Sequence, residues 1–318
     1  MIMIGYIIMC IIFGTTFLAI KVGVDAGLPP FGSAGIRFAL AGLILMCIMY
    51  MRGKASFSVL WRRETLLIGV SMTFMTFASL YWAEQYVTSG VGALLSATGP
   101  AMILLIRALI LKVRVPALAF VGAVIGLAGV GLLMLPGLAG GGDYHPLWMI
   151  ACVVVVVGEI GYASGAVYSK QVSSALKEIS PVSQNAAQLL HGGWMLLVLS
   201  LITEHNQMHI EAFGSVAAIG SLVYLIVVGS MGGHTLFYWL ISRTNPVFPS
   251  TWLYISPILA LLLGWLVYGE PLSWIMAAGA AVVLIGVLLT NLDSLLGLWD
   301  IRRRQSRREN KLEPIGQK

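Results

Sequence analysis

A chain of 318 residues that is 58% hydrophobic and only 10% charged is not a water-soluble domain, because such domains carry about 25% charged residues. A mean hydropathy of +0.91 with repeated long apolar runs indicates a polytopic helical membrane protein, and the runs lack the alternation of a β-barrel. The net charge of +6 does not suggest nucleic acid here, because the basic residues are sorted by loop and report topology.

The amino terminus, MIMIGYII, has neither a basic leader nor a small-residue cleavage site, so it reads as a retained first helix. Apolar windows predict ten spans, at 3–24, 32–51, 65–86, 90–111, 117–135, 147–169, 182–203, 215–240, 247–268 and 273–293. Arg52, Lys54, Arg62, Arg63, Lys112, Arg114, Lys177 and Arg243 fall in the even-numbered loops, and the odd-numbered loops contain no Lys or Arg. The positive-inside rule then predicts that both termini are cytoplasmic. It also predicts an acidic outer face bearing Asp25, Asp143, Glu204, Glu211 and Glu270. The basic tail, 297–318, suits either docking on anionic lipid or a solvated topology signal. Cys10, Cys47 and Cys152 each stand alone in apolar sequence, and no HExxH or CxxC spacing occurs. Neither a metal nor a cofactor is therefore expected.

The chain also repeats itself. Shifted by 157 residues, Tyr81, Trp82, Pro100, Gly122, Ala123, Leu127, Gly129, Val130 and Leu132 meet Tyr238, Trp239, Pro257, Gly279, Ala280, Leu284, Gly286, Val287 and Leu289. The reading is a first five-helix repeat at 1–135, a glycine-rich outer linker at 136–146 and a second repeat at 147–296. Five is odd, so the two repeats enter the membrane in opposite directions, and inverted repeats of this kind place a site near the midplane.

The sixth span carries a carboxylate, Glu159, at its middle. A central acid costs about 2.5–3.5 kcal/mol to insert and usually faces a bundle interior. Two readings stand: a protonated acid bonded to a neighbouring helix, or a group that binds solute or protons. His191 and His234, at similar depth, are further proton-coupling candidates, each also readable as a satisfied core histidine. Arg37 lies well inside the second span, where it either pairs with Glu84 or holds an anionic group of a solute. Tyr81, Trp82, Tyr162, Tyr238, Trp239, Trp252 and Tyr254 are aromatic candidates for stacking on a solute, against the alternative of an interfacial belt. Pro100 and Pro257, at the centres of the fourth and ninth spans, are predicted to kink their helices and to serve in gating. The fifth and tenth spans, rich in glycine and free of charge, read as packing helices.

Three segments carry a family resemblance: FGTTFLAIKVGVDAGLPPFGSAGIRFALAGLIL from Phe13, AEQYVTSGVGALLSATGP from Ala83 and YISPILALLLGWLVYGEPLSW from Tyr254. Together they resemble EamA-type carriers of the drug/metabolite transporter superfamily, in order and along nearly the whole chain to about Asn291. The resemblance implies an all-α membrane bundle of ten helices in two inverted five-helix repeats, exporting amino acids, related metabolites or drugs across a bacterial inner membrane. It also implies a cavity lined mainly by the first, third, fourth, sixth, eighth and ninth helices, with Glu84 among its solute-binding residues and the seventh helix peripheral. The related small multidrug resistance proteins carry a proton-binding glutamate in their first helix. Matched at Gly14 and carried across the repeat, it falls at Ile160, one residue and about 100° of helix from Glu159.

The sequence therefore predicts a secondary transporter that exports a small metabolite, an amino acid or derivative first, by alternating access and in exchange for protons at Glu159. The expected partners are that solute and the bilayer, in a monomer or homodimer, and no enzyme is expected. The alternatives are an uncoupled uniporter or importer, a multidrug exporter of organic cations and, outside transport, a membrane sensor or scaffold.

Overall fold

The computed structural model describes residues 1–138, 145–207, 209–244 and 247–292, excepting the side chains of residues 136–138, 210, 211, 238, 242, 247 and 250. The expectations for Asp143, most of the glycine-rich linker, the basic tail and the side chains of Glu211 and Tyr238 lie outside this set. Every regular element among the described residues is helical.

Eight apolar segments are long enough to cross a membrane: α1 (Ile2–Asp25), α2 (Pro30–Met51), α3 (Arg63–Ala83), α4 (Ser89–Ile110), α5 (Ala117–Leu138), α6 (Trp148–Gln171), α7 (Pro181–Thr203) and α8 (Val216–Ile241). Two shorter apolar helices follow, α9 (Trp252–Tyr268) and α10 (Trp274–Thr290), of 17 residues each. At ~1.5 Å per residue each of these is about 25 Å long, less than the roughly 30 Å of hydrocarbon. The protein is a multi-pass membrane protein, and its helices coincide with the predicted spans to within a few residues.

The helices pair in a regular way. α2 runs along α7, α5 along α10, α1 beside α9 and α4 beside α6. Both α3 and α8 contain a stretch of wide π turns, Gly69–Met75 and Leu225–Gly233, whose first and last residues are 156 and 158 positions apart. The α3 stretch packs on α6 and α7, and the α8 stretch on α1 and α2. Such turns insert an extra residue per turn and redirect the side chains they carry.

The two symmetric prolines stand in different surroundings. α4 is interrupted at Ala97 and Thr98, and Pro100 stands in the first turn of the piece that resumes at Gly99, where its missing N–H costs no hydrogen bond. Pro257 lies inside α9, which continues through it.

At the end of the bundle where α1 finishes and α2 begins, two expected surface acids are buried instead. Glu204 accepts from the backbone N–H groups of Phe31 and Gly32 at 3.0 and 2.9 Å, capping α2, whose opening Pro29-Pro30 pair can supply no N–H of its own. α9 ends on Gly269 in the left-handed conformation, φ 72°, a turn that glycine makes without strain. Glu270 follows directly and accepts from the Ser89 N–H at 2.7 Å and its hydroxyl at 2.9 Å, capping α4. A carboxylate suits the positive end of a helix dipole, and burial strengthens the match.

Candidate functional site

Inside the bundle is a cavity of about 170 Å³ walled by seven of the long helices and α9 is among the walls, through Trp252 and Leu253. α1 contributes Phe13, Thr16, Phe17 and Ile20, and α3 contributes residues from Met72 to Leu80. Arg37 comes from α2, Ser96 from α4, Glu159 and Tyr162 from α6, Asn185, Gln188 and Leu189 from α7, and His234 and Phe237 from α8. The space is smaller than the roughly 300–1,000 Å³ typical of drug-sized ligands.

Arg37 is 2% exposed. Its Nε donates to the Ser230 hydroxyl at 2.9 Å and its Nη1 to the Tyr81 hydroxyl at 3.0 Å. The guanidinium lies 4.6 Å from the centroid of Phe38 and 5.5 Å from that of Phe77. Ser230 belongs to the π stretch of α8, so the wide turns supply a hydroxyl to this cation. The expected Arg37–Glu84 pair does not form. Among the described residues the ion pair within 4 Å is Lys21–Asp25, and two hydroxyls with two rings take the place of a carboxylate on Arg37.

Glu159 is 4% exposed and lies on the cavity wall, not against lipid. It packs where α4 is interrupted: a Cβ on Gly99 would sit 2.7 Å from its Oε2 and 3.3 Å from Tyr162 Cδ1. Glycine there gives both side chains their room. No cation lies within ion-pair distance of Glu159 among the described residues.

The other predicted residues separate into groups. Tyr162, His234 and Trp252 line the cavity with Arg37 and Glu159. His234 meets the Ser230 carbonyl through Nδ1 at 3.0 Å and Phe13 edge-on at 5.6 Å, and Trp252 lies against Phe13 at 4.6 Å. Tyr81 acts through Arg37, and Pro100 follows the break beside Gly99. Trp82 meets Tyr86 edge-on, Trp239 fills the space above Gly5 of α1, and Tyr254 packs against the core, and none of these three reaches the cavity wall. His191 lies behind the π stretch of α3, its Cβ against Gly69, outside the wall. Glu84 is fully buried beyond the cavity, and Pro257 is likewise off its wall.

Sequence reasoning missed the contribution of α7. Asn185 is 1% exposed, and neither its side-chain oxygen nor its nitrogen has a hydrogen-bond partner. Gln188, one turn on, donates to the Thr73 hydroxyl at 3.3 Å. The helix that the resemblance made peripheral thus supplies two amides to the cavity. The signal was present as NAAQ, two amides three residues apart and so on one helical face, near the start of a span.

Apolar spans thus close around a pocket that holds a buried guanidinium, a buried carboxyl group and two amides. The chain belongs to the EamA-like transporter family, whose model matches residues 1–135 and 149–292. It is 28% identical over 287 residues to the uncharacterized inner membrane transporter YedA of Escherichia coli (strain K12), covering 90% of this chain and 89% of that one. It is 27% identical over 289 residues to the uncharacterized transporter YoaV of Bacillus subtilis (strain 168), covering 91% and 96%. An uncharacterized transporter of Archaeoglobus fulgidus is 26% identical over 277 residues, covering 87% and 93%. A solved crystal structure of a protein shares the fold at a TM-score of 0.60 and 18% identity, over 91% of this chain and 96% of that one.

Proposed function

We propose that the protein is a secondary transporter that exports a small zwitterionic metabolite, an amino acid or close derivative, in exchange for protons at Glu159. The observation that carries this reading is a pair of opposite groups on one cavity without a charged partner: Arg37 has no carboxylate and Glu159 no cation within ion-pair distance among the described residues. A buried charge without a counter-charge is costly, and a solute carrying both a carboxylate and an ammonium group relieves both costs at once. The free amide of Asn185 adds a donor and an acceptor for orienting the solute, while Phe13, Phe17, Phe77 and Trp252 provide an apolar wall for its side chain. The size of the space favours a metabolite over a bulkier organic cation.

Proton exchange follows from competition for one group. Protonation of Glu159 cancels the charge that holds the ammonium group, so solute leaves as the proton arrives, and the neutral form returns to load again. Two inverted halves supply the alternating exposure. The reading is supported by the two-block family match, by the π stretches at equivalent positions in α3 and α8, and by the repeat-related pairings α1–α9 with α6–α4. The distribution of basic residues supports an orientation with both termini cytoplasmic and the Glu84 end outward.

The test is counterflow of labelled amino acids in proteoliposomes with and without an imposed pH gradient. Coupled export predicts flux driven by the gradient and lost in Glu159→Gln. Flux indifferent both to the gradient and to that substitution would overturn the exchange and leave a uniporter. The absence of any saturable flux across amino acids and their derivatives would overturn the solute class.

A further inference from the structure

Beyond Ile20 and Leu80, the last cavity residues towards the end where α1 finishes, lie Lys21 and Glu84. Glu84 is 0% exposed, and neither of its carboxylate oxygens has a hydrogen-bond partner. The Lys21 ammonium is close by but engaged elsewhere. It donates to the backbone carbonyl of Glu84 at 2.9 Å and pairs with Asp25 Oδ1 at 2.9 Å. The other oxygen of Asp25 accepts from the Tyr268 hydroxyl at 2.9 Å, which ties α1 to the end of α9. Lys21 thus spends its charge on an acid that is 35% exposed and not on the fully buried one beside it.

That choice has a physical meaning. An ionised carboxylate sealed in an apolar interior with neither oxygen bonded is strongly disfavoured, whereas a neutral carboxyl group there needs no cation. The contacts are those that a protonated Glu84 leaves behind. We propose that Glu84 is a proton-binding site separate from Glu159, and that its ionisation moves Lys21 from Asp25 to the Glu84 carboxylate. The step is a plain dissociation: the O–H bond of the carboxyl group breaks, its electron pair stays on oxygen, and the proton passes to water at the Asp25 end.

The surrounding groups are consistent with such an exchange. Besides Lys21 and Asp25 of α1, the charges that act on Glu84 are Glu270 after α9 and Arg37 of α2. Glu270 is committed to the start of α4, and Arg37 to Tyr81 and Ser230. That leaves Lys21 as the ammonium free to change partners. On the α4 side Glu84 faces glycine: a Cβ on Gly92 would lie 3.4 Å from its Oε1.

The inference rests on this packing and not on the transport reading, so its test uses no solute. The full chain, purified and reconstituted in lipid, is titrated while infrared absorption of protonated carboxyl groups is recorded, with Glu159→Gln as the background. At neutral pH a carboxylic acid band is expected to remain in Glu159→Gln and to be lost in Glu159→Gln/Glu84→Gln. Asp25→Asn, which frees Lys21, is expected to move the disappearance of that band down by at least about one pH unit, and Lys21→Met to move it up. Superimposable spectra for the single and double variants at every pH would overturn the proton site. A band that ignores both Asp25→Asn and Lys21→Met would overturn the exchange of partners. Glutamine preserves the size of the side chain, and monodisperse elution of each variant checks that it folds.

Discussion

The central cavity and the α5–α10 seam are both made of apolar helices, yet they use their residues in opposite ways. Along the seam, Gly122 and Gly286 bring backbone against backbone: a Cβ on Gly122 would strike Thr290, and one on Gly286 would strike Gly126. Gly129 does the same against Val283, with a built Cβ only 2.6 Å from its nitrogen. Neither helix contributes to the cavity wall. In lipid no hydrophobic force drives helix to helix, so close approach must come from small residues and van der Waals contact. The cavity instead gathers polar groups that lipid would reject and leaves several without protein partners. One region is complete without a ligand, and the other is not.

Substitutions in each region can break or sharpen this contrast. The largest effect is expected at Glu159: Glu159→Gln should bring pH-gradient-driven flux down to that of protein-free vesicles while the protein still inserts and elutes as one species. Next is the seam, where Gly286→Leu forces backbone apart and overpacking typically costs about 1–3 kcal/mol. A lower midpoint of thermal unfolding is expected, with unchanged flux per folded molecule; flux lost at full stability would show that the seam is not merely structural. Arg37→Lys keeps the charge and loses the planar fork, so zwitterion affinity should fall about tenfold, or ~1.4 kcal/mol, by isothermal titration. An amine that lacks a carboxylate should bind both forms equally. Smallest is Asn185→Ala. It should weaken solute binding severalfold and leave the unfolding midpoint where it was, because the lost amide has no protein partner.

The candidate site was partly legible. Glu159 stood out because a carboxylate in mid-span is rare, and Arg37, Tyr162, His234 and Trp252 were recognisable by depth or ring type. Glu84 and His191 satisfied the same criteria and nevertheless lie off the cavity wall, as do Trp82 and Trp239. Depth says how far along a helix a residue sits but nothing about its direction. Asn185 and Gln188 passed unnoticed because an amide carries no charge to mark it.

The sequence by itself determined the membrane class and, among the described residues, where the apolar helices lie along the chain. Bilayer thickness is a one-dimensional yardstick, and a run of apolar residues is measured against it directly. Only the tertiary structure decided which polar groups meet: Arg37 with Tyr81 and Ser230, Glu270 with the start of α4, Lys21 with Asp25 beside an unpaired Glu84. In water an amphipathic stripe announces which face of a helix turns inward. Here lipid and protein interior are equally apolar, so most of the long helices carry only a faint stripe, and packing assigns each side chain its neighbour.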